Sequence, residues 1–233
     1  MEIAENITSK QKNNALWLTA IYFSIGFLEI TAEFFRHNLL INCTKPLLIP
    51  LLTLLYTATS VKKNFMYMLA LLCVWIGNLF FLSKSMEYIV IGTLFFSLFR
   101  ILLIVQLVKM VKFPEVAIMI LACIPFLFIY IFVINLTYDQ LGELFYLFAI
   151  QGIFMIVFGG ISLAGYILTP NKANMFLVIS MMCFTFTQFL FIIRQFYMAI
   201  GIFQPILMLL FISAHFLLYK FMQTHEKLSV TEK

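Results

Sequence analysis

Eight long apolar runs, separated by a few charged or turn-forming residues, occupy most of this chain and leave it one kind of fold. They fall at residues 15–35, 46–60, 65–82, 88–107, 114–136, 143–168, 173–193 and 196–221. A helix crosses the hydrocarbon core of a bilayer in about 20 residues, and most of these runs match that length. Of the 233 residues, 64% are apolar and only 11% are charged. A soluble domain carries about 25% charged residues, so water could not solvate the surface of this chain. An outer-membrane barrel would alternate polar and apolar positions in segments of about ten residues, whereas these runs are continuous. The sequence therefore predicts an all-α polytopic membrane protein of eight transmembrane helices. Its expected parts are a tail over residues 1–14, a membrane domain over 15–221 and a second tail over 222–233. Eight crossings leave no length for a soluble catalytic domain, a nucleic-acid-binding domain or a large ectodomain.

The first run follows Lys10 and Lys12 as the core of a signal peptide would, but no small-residue cleavage site comes after it, which predicts a retained helix. With an even number of spans both termini share a side. Lys10, Lys12, Lys62, Lys63, Lys109, Lys112, Lys172, Lys220, Lys227 and Lys233 collect on that side, against Arg36, Lys45, Lys84 and Arg194 on the other. Basic residues resist translocation, so both termini are expected in the cytoplasm, and the short loops favour a bacterial inner membrane. The formal charge of +5 then reports topology, and no nucleic-acid partner is expected. Composition leaves the oligomeric state open. Cys43, Cys73, Cys123 and Cys183 stand singly with no CxxC pair, so neither a disulfide framework nor a metal site is expected. Walker, HExxH and GxSxG motifs are absent from the sequence, and no cofactor is implied.

Polar side chains at membrane depth cost several kcal/mol when charged and mark functional positions. Glu29 and Glu33 lie one turn apart on the first helix and share a face. Two like-charged neighbours in low dielectric tend to retain one proton between them, which makes the pair a candidate proton donor. Arg100 lies roughly 18 Å into the fourth helix when counted from residue 88. A guanidinium at that depth needs a partner, and the glutamates are the carboxylates at hand, so the sequence predicts an Arg100 ion pair with Glu29 or Glu33. Asn78, Gln106, Gln151, Gln188, Gln204 and His215 are the neutral polar residues of the spans. His215 is expected to pack, or to snorkel towards the cytoplasmic end.

Four stretches carry a family resemblance. The second run opens Thr44-Lys45-Pro46-Leu47-Leu48-Ile49-Pro50, and the third ends Trp75-Ile76-Gly77-Asn78-Leu79-Phe80. Gly92, Phe96 and Arg100 recur every four residues, and the seventh run contains Phe184-Thr185-Phe186-Thr187-Gln188. Together they resemble the YhhN family of eight-helix membrane proteins, which includes lysoplasmalogenases. Asn78 and Gln188 stand where that family has acidic residues, and Arg100 stands where it has His. The resemblance implies hydrolysis of the vinyl ether bond of a lysoplasmalogen, with Asn78 and Gln188 at the catalytic positions. An amide cannot deliver a proton near neutral pH, which shifts the expected acid to Glu29 or Glu33. Lys45 and Arg100 would anchor the substrate phosphate. The expected partner is a lipid or lysolipid with an anionic head group. Two alternatives stay open: a lipid-binding protein of the same fold without turnover, and a proton-coupled transporter using Glu29, Glu33 and Arg100. In the lipid readings Lys45, Asn78, Arg100 and Gln188 should converge on one cavity.

Overall fold

A computed structural model describes residues 2–60, 63–83, 85–111 and 114–231 of the chain. Lys62, Lys84, Lys112 and Lys233, on which part of the charge asymmetry rests, lie outside the described residues, as do the side chains of Lys10 and Lys12. Among the described residues there are eight α-helices and no strand: α1 Glu2–Phe34, α2 Asn38–Thr59, α3 Phe65–Phe80, α4 Met86–Met110, α5 Val116–Leu141, α6 Phe145–Leu168, α7 Lys172–Ile192 and α8 Phe203–Thr231. Six stretches are long and apolar enough to cross a membrane. One of them, Val116–Leu168, contains both α5 and α6, and α3 is a shorter apolar helix. The outer surface is just as apolar: Trp17, Phe27, Ile120 and Phe128 each expose more than 60% of their area. Residues of that kind spread round a helical bundle face hydrocarbon, and the chain is a multi-pass helical membrane protein.

The helices pair as hairpins, α1 with α2, α3 with α4, α5 with α6 and α7 with α8, and α8 also packs on α1 and α2. The bounds differ from the apolar runs where local chemistry decides them. Helix α2 starts at Asn38 rather than at residue 46, because Arg36 turns the chain at φ 56° and the Nδ1 of His37 accepts the Leu40 N–H at 3.3 Å. Helix α8 starts at Phe203 rather than at residue 196, because a π-helical turn, Ile193–Tyr197, extends the end of α7. Neither Gly nor Pro interrupts the first 25 residues, and α1 runs back through most of the expected N-terminal tail. Helix α8 likewise continues to Thr231.

The two prolines inside α2 explain a contact to α3. Pro50 has no N–H to give the carbonyl of Pro46 four residues earlier, and a carbonyl unpaired in a membrane interior costs several kcal/mol. The indole Nε1 of Trp75 donates to that carbonyl at 2.9 Å. Helices α3 and α4 meet through paired glycines, as small residues allow. A Cβ on Gly77 would stand 3.2 Å from the Gly92 carbonyl oxygen, and one on Gly92 would stand 3.1 Å from that of Gly77. This approach places Asn78 beside the face of α4 that carries Phe96 and Arg100. His215 does not snorkel. It is fully buried and packs against the rings of Phe99, Phe184 and Phe211 at 4.3–5.4 Å between centroids.

A cavity with a forked arginine and a bridged carboxylate pair

At the end of the bundle where α1 and α3 finish and α2, α4 and α8 begin, the helices enclose a cavity of about 600 Å³. Lys45, Asn78, Arg100 and Gln188 all line it, so four residues from four helices share one space. Glu33 lines it too, whereas Glu29 is fully buried behind it.

Two polar clusters build the walls. In the first, Lys45 Nζ reaches Glu33 Oε1 at 2.7 Å and Glu29 Oε1 at 3.7 Å. The Thr44 hydroxyl donates to Glu29 Oε2, and the Gln204 amide donates to Glu33 Oε1 at 2.9 Å. The local reason is helical spacing. Glu29 and Glu33 lie one turn apart on α1, and Thr44 with Lys45 sits opposite them across the short turn of the α1–α2 hairpin. One ammonium thus bridges two carboxylates.

The second cluster holds Arg100. Its Nη1 donates to Gln151 Oε1, and its Nη2 donates to Gln188 Oε1 at 2.6 Å. The Gln151 amide group in turn donates to the Thr93 carbonyl at 2.6 Å and to the Ser97 hydroxyl at 3.0 Å, which fixes the oxygen that faces the guanidinium. The expected ion pair between Arg100 and Glu29 or Glu33 does not form. Helix α1 packs on α2 and α8, while α4 packs on α3 and α6, so the glutamates meet Lys45 and the arginine meets two amides. Arg100 lies 14 residues beyond the start of α4, roughly 21 Å along the axis. Helical side chains lean towards the N-terminus, and the guanidinium accordingly points back up α4 towards the Ser97 and Thr93 turns.

Arg100 therefore uses two of its five N–H donors and makes no ion pair among the described residues. It is 6% exposed. Asn78, 5% exposed, has no hydrogen-bond partner for its Nδ2. At the rim stand Arg36, on the turn between α1 and α2, and Arg194, on the π-helical turn. The cavity walls between these groups are apolar, with Phe96, Phe99 and Phe211 among them.

Gln151, Gln204, Arg36 and Arg194 belong to the cavity although sequence reasoning did not assign them to a site. For Gln151 a signal existed: Thr93, Ser97 and Arg100 follow helical spacing along one face of α4, a polar stripe that needs a polar partner. Arg36 and Arg194 entered only as charges opposing the cytoplasmic side.

The YhhN family model matches residues 40–222. No curated protein and no solved structure matches the chain. The matched segment takes in Lys45, Asn78, Arg100, Gln151, Gln188 and Gln204, and it begins after Glu29, Glu33 and Arg36. With most of its length and most of the cavity lining inside that match, the chain belongs to the YhhN family.

Proposed function

We propose that the cavity receives a single-chain lipid with an anionic head and that the protein hydrolyses the vinyl ether bond of a lysoplasmalogen. The observation that carries this reading is Arg100, a buried cation held by two neutral amides and facing an amphipathic cavity. A charge at that depth is costly unless an anion meets it, and guanidinium N–H groups match phosphate oxygens. In this reading eight helices cross a bacterial inner membrane with both termini in the cytoplasm.

Vinyl ether hydrolysis needs one proton on the alkene carbon distal to the ether oxygen, which leaves an oxocarbenium ion at the other. Water then adds to that carbon and loses a proton, and the hemiacetal collapses to a fatty aldehyde and the free hydroxyl of the head group. Glu33 is the carboxyl group lining the cavity among the described residues. Its Oε1 is taken by Lys45 and Gln204, while Oε2 accepts no hydrogen bond from the described residues. Two carboxyl groups share the one ammonium of Lys45. The proton such a pair retains, carried on Oε2, makes Glu33 the proton donor, which recovers its proton from the attacking water. The unpartnered Nδ2 of Asn78 is free to donate to an oxygen of the ligand. Asn78 and Gln188 position; they do not transfer protons.

The amides at positions 78 and 188 favour a second reading, lipid binding without turnover. Aldehyde release from lysoplasmalogen by the purified protein in detergent separates the two. Release that falls about a hundredfold or more in Glu33→Gln supports the hydrolase. Saturable lysolipid binding with no release supports the second reading, and absence of both removes the lipid site.

A further inference from the structure

The charges around the cavity do not balance, and the imbalance bears on which head group it accepts. Arg36, Lys45, Arg100 and Arg194 line it, and Glu33 is the acidic lining residue among the described residues. Glu33 and the buried Glu29 are both engaged by Lys45. Arg194 lies within the field of Glu33 and of Arg36, and Arg100 has no carboxylate at all among the described residues. The cavity thus keeps an excess of positive charge at its rim and in its depth, and Asn78 adds a buried amide donor with nothing to bond.

The rim arginine is held there against a backbone penalty. Arg36 adopts φ 56°, a conformation that suits glycine and costs other residues roughly 1 kcal/mol or more. Gly201 makes the matching space: a Cβ there would stand 2.9 Å from Arg36 Nη2. A turn that uses arginine where glycine would be easier, opposite a glycine that clears room for it, keeps the guanidinium at the mouth.

A quaternary ammonium would find little to hold it. The acidic group that lines the cavity among the described residues is Glu33, and Lys45 already bridges it. The aromatic alternative is a cage of ring faces, but the cavity is lined by Phe without Tyr or Trp among the described residues. Phe81 stacks on Phe96 at 5.4 Å, and Phe99 packs against Phe184 at 5.7 Å, so these rings are engaged with each other.

We propose that the cavity selects single-chain lipids whose oxyanion head carries no compensating ammonium over lipids with a zwitterionic head. The proposal rests on the lipid-site reading above. Buried or rim cations without carboxylate partners gain by pairing with phosphate, and an ammonium brought with it would meet like charge. The test measures binding to the full-length protein in a neutral detergent, using oleoyl lysophosphatidate, oleoyl lysophosphatidylglycerol, oleoyl lysophosphatidylcholine and inorganic phosphate. Both anionic lysolipids should bind about tenfold tighter than the choline lipid, with inorganic phosphate far weaker than either. Arg36→Gly, which relieves the backbone penalty and should leave the melting temperature unchanged or higher, should lower the anionic-to-zwitterionic ratio by about threefold or more. Arg194→Gln should lower it likewise. Equal affinity for the two head classes overturns the proposal and leaves the lipid cavity standing. A ratio unmoved by both arginine variants also overturns it, as does inorganic phosphate binding as tightly as the lysolipids. Selectivity without aldehyde release would sustain this proposal while removing the hydrolase.

Discussion

Arg100 and Lys45 are both cations in the same cavity, yet their surroundings assign them opposite energetic roles. Lys45 is the cation that pairs with both Glu29 and Glu33, so Lys45→Leu leaves two carboxyl groups buried or nearly so without a counter-charge. That should cost about 3 to 5 kcal/mol. Arg100→Leu leaves two amide oxygens short of a donor, at about 1 to 3 kcal/mol before any offset, but it also removes a buried cation that has no carboxylate partner. Its net cost should be clearly the smaller. Melting in detergent tests the order, and adding Glu33→Leu should recover part of the Lys45→Leu loss while leaving Arg100→Leu where it was. Rescue of Arg100→Leu by a glutamate change would contradict the pairing of Lys45 with the two glutamates. Much of this chemistry is legible in the sequence: Glu29, Glu33, Lys45, Asn78, Arg100 and Gln188 all belong to the cavity walls or to the layer behind them. Their partners are not legible there, because helical spacing shows which residues share a face and says nothing of what that face meets.

Within and between helices, prolines and glycines act through the contacts they force. Pro50 strands the Pro46 carbonyl, and Trp75 on α3 satisfies it at 2.9 Å. Trp75→Phe should therefore destabilise by about 1 to 3 kcal/mol, the cost of an unpaired buried carbonyl added to any packing loss. Pro50→Ala supplies an N–H within α2 that can take over the same carbonyl. In that background Trp75→Phe should cost measurably less, and a double-mutant cycle by thermal melting reads the coupling directly. Strictly additive losses would show that the indole contributes by packing alone. The glycines of α3 and α4 act by absence, since at Gly77 and Gly92 a methyl would press on the opposing backbone. The π-helical turn after α7 has the opposite character. It widens one turn and turns Arg194 towards the cavity mouth, and π-helical turns are often found at functional sites. Hydrophobic patterning does not reveal it, because Arg194 and Gln195 read as a break between the seventh and eighth apolar runs, whereas the chain continues through them as a helical turn.

On the scale of the whole molecule, the basic residues divide between the two ends of the bundle. Arg36 and Arg194 stand at the cavity end, and Lys63, Lys109, Lys172, Lys220 and Lys227 belong to the other by their places in the helices. By the positive-inside rule we expect the cavity mouth to face away from the cytoplasm. A reporter fused to the C-terminus should be active only on the cytoplasmic side, and one inserted at the turn between α1 and α2 only on the far side; the reverse pattern would invert the topology. The apolar runs alone determined that this chain is helical and lives in a membrane, because no other solvent tolerates such a surface, only helices and closed barrels satisfy a backbone there, and runs without alternation exclude the barrel. They also marked eight helices and, through spacing, the faces that carry charge. Only the tertiary structure decided which charges meet. Hydrophobic patterning is a property of single segments, whereas a partner is set by the order in which helices pack and by how closely they approach. Helix α1 packs beside α2 and α8 rather than α4, so the glutamates were claimed by Lys45, and Arg100 was left facing the cavity with its charge unpaired.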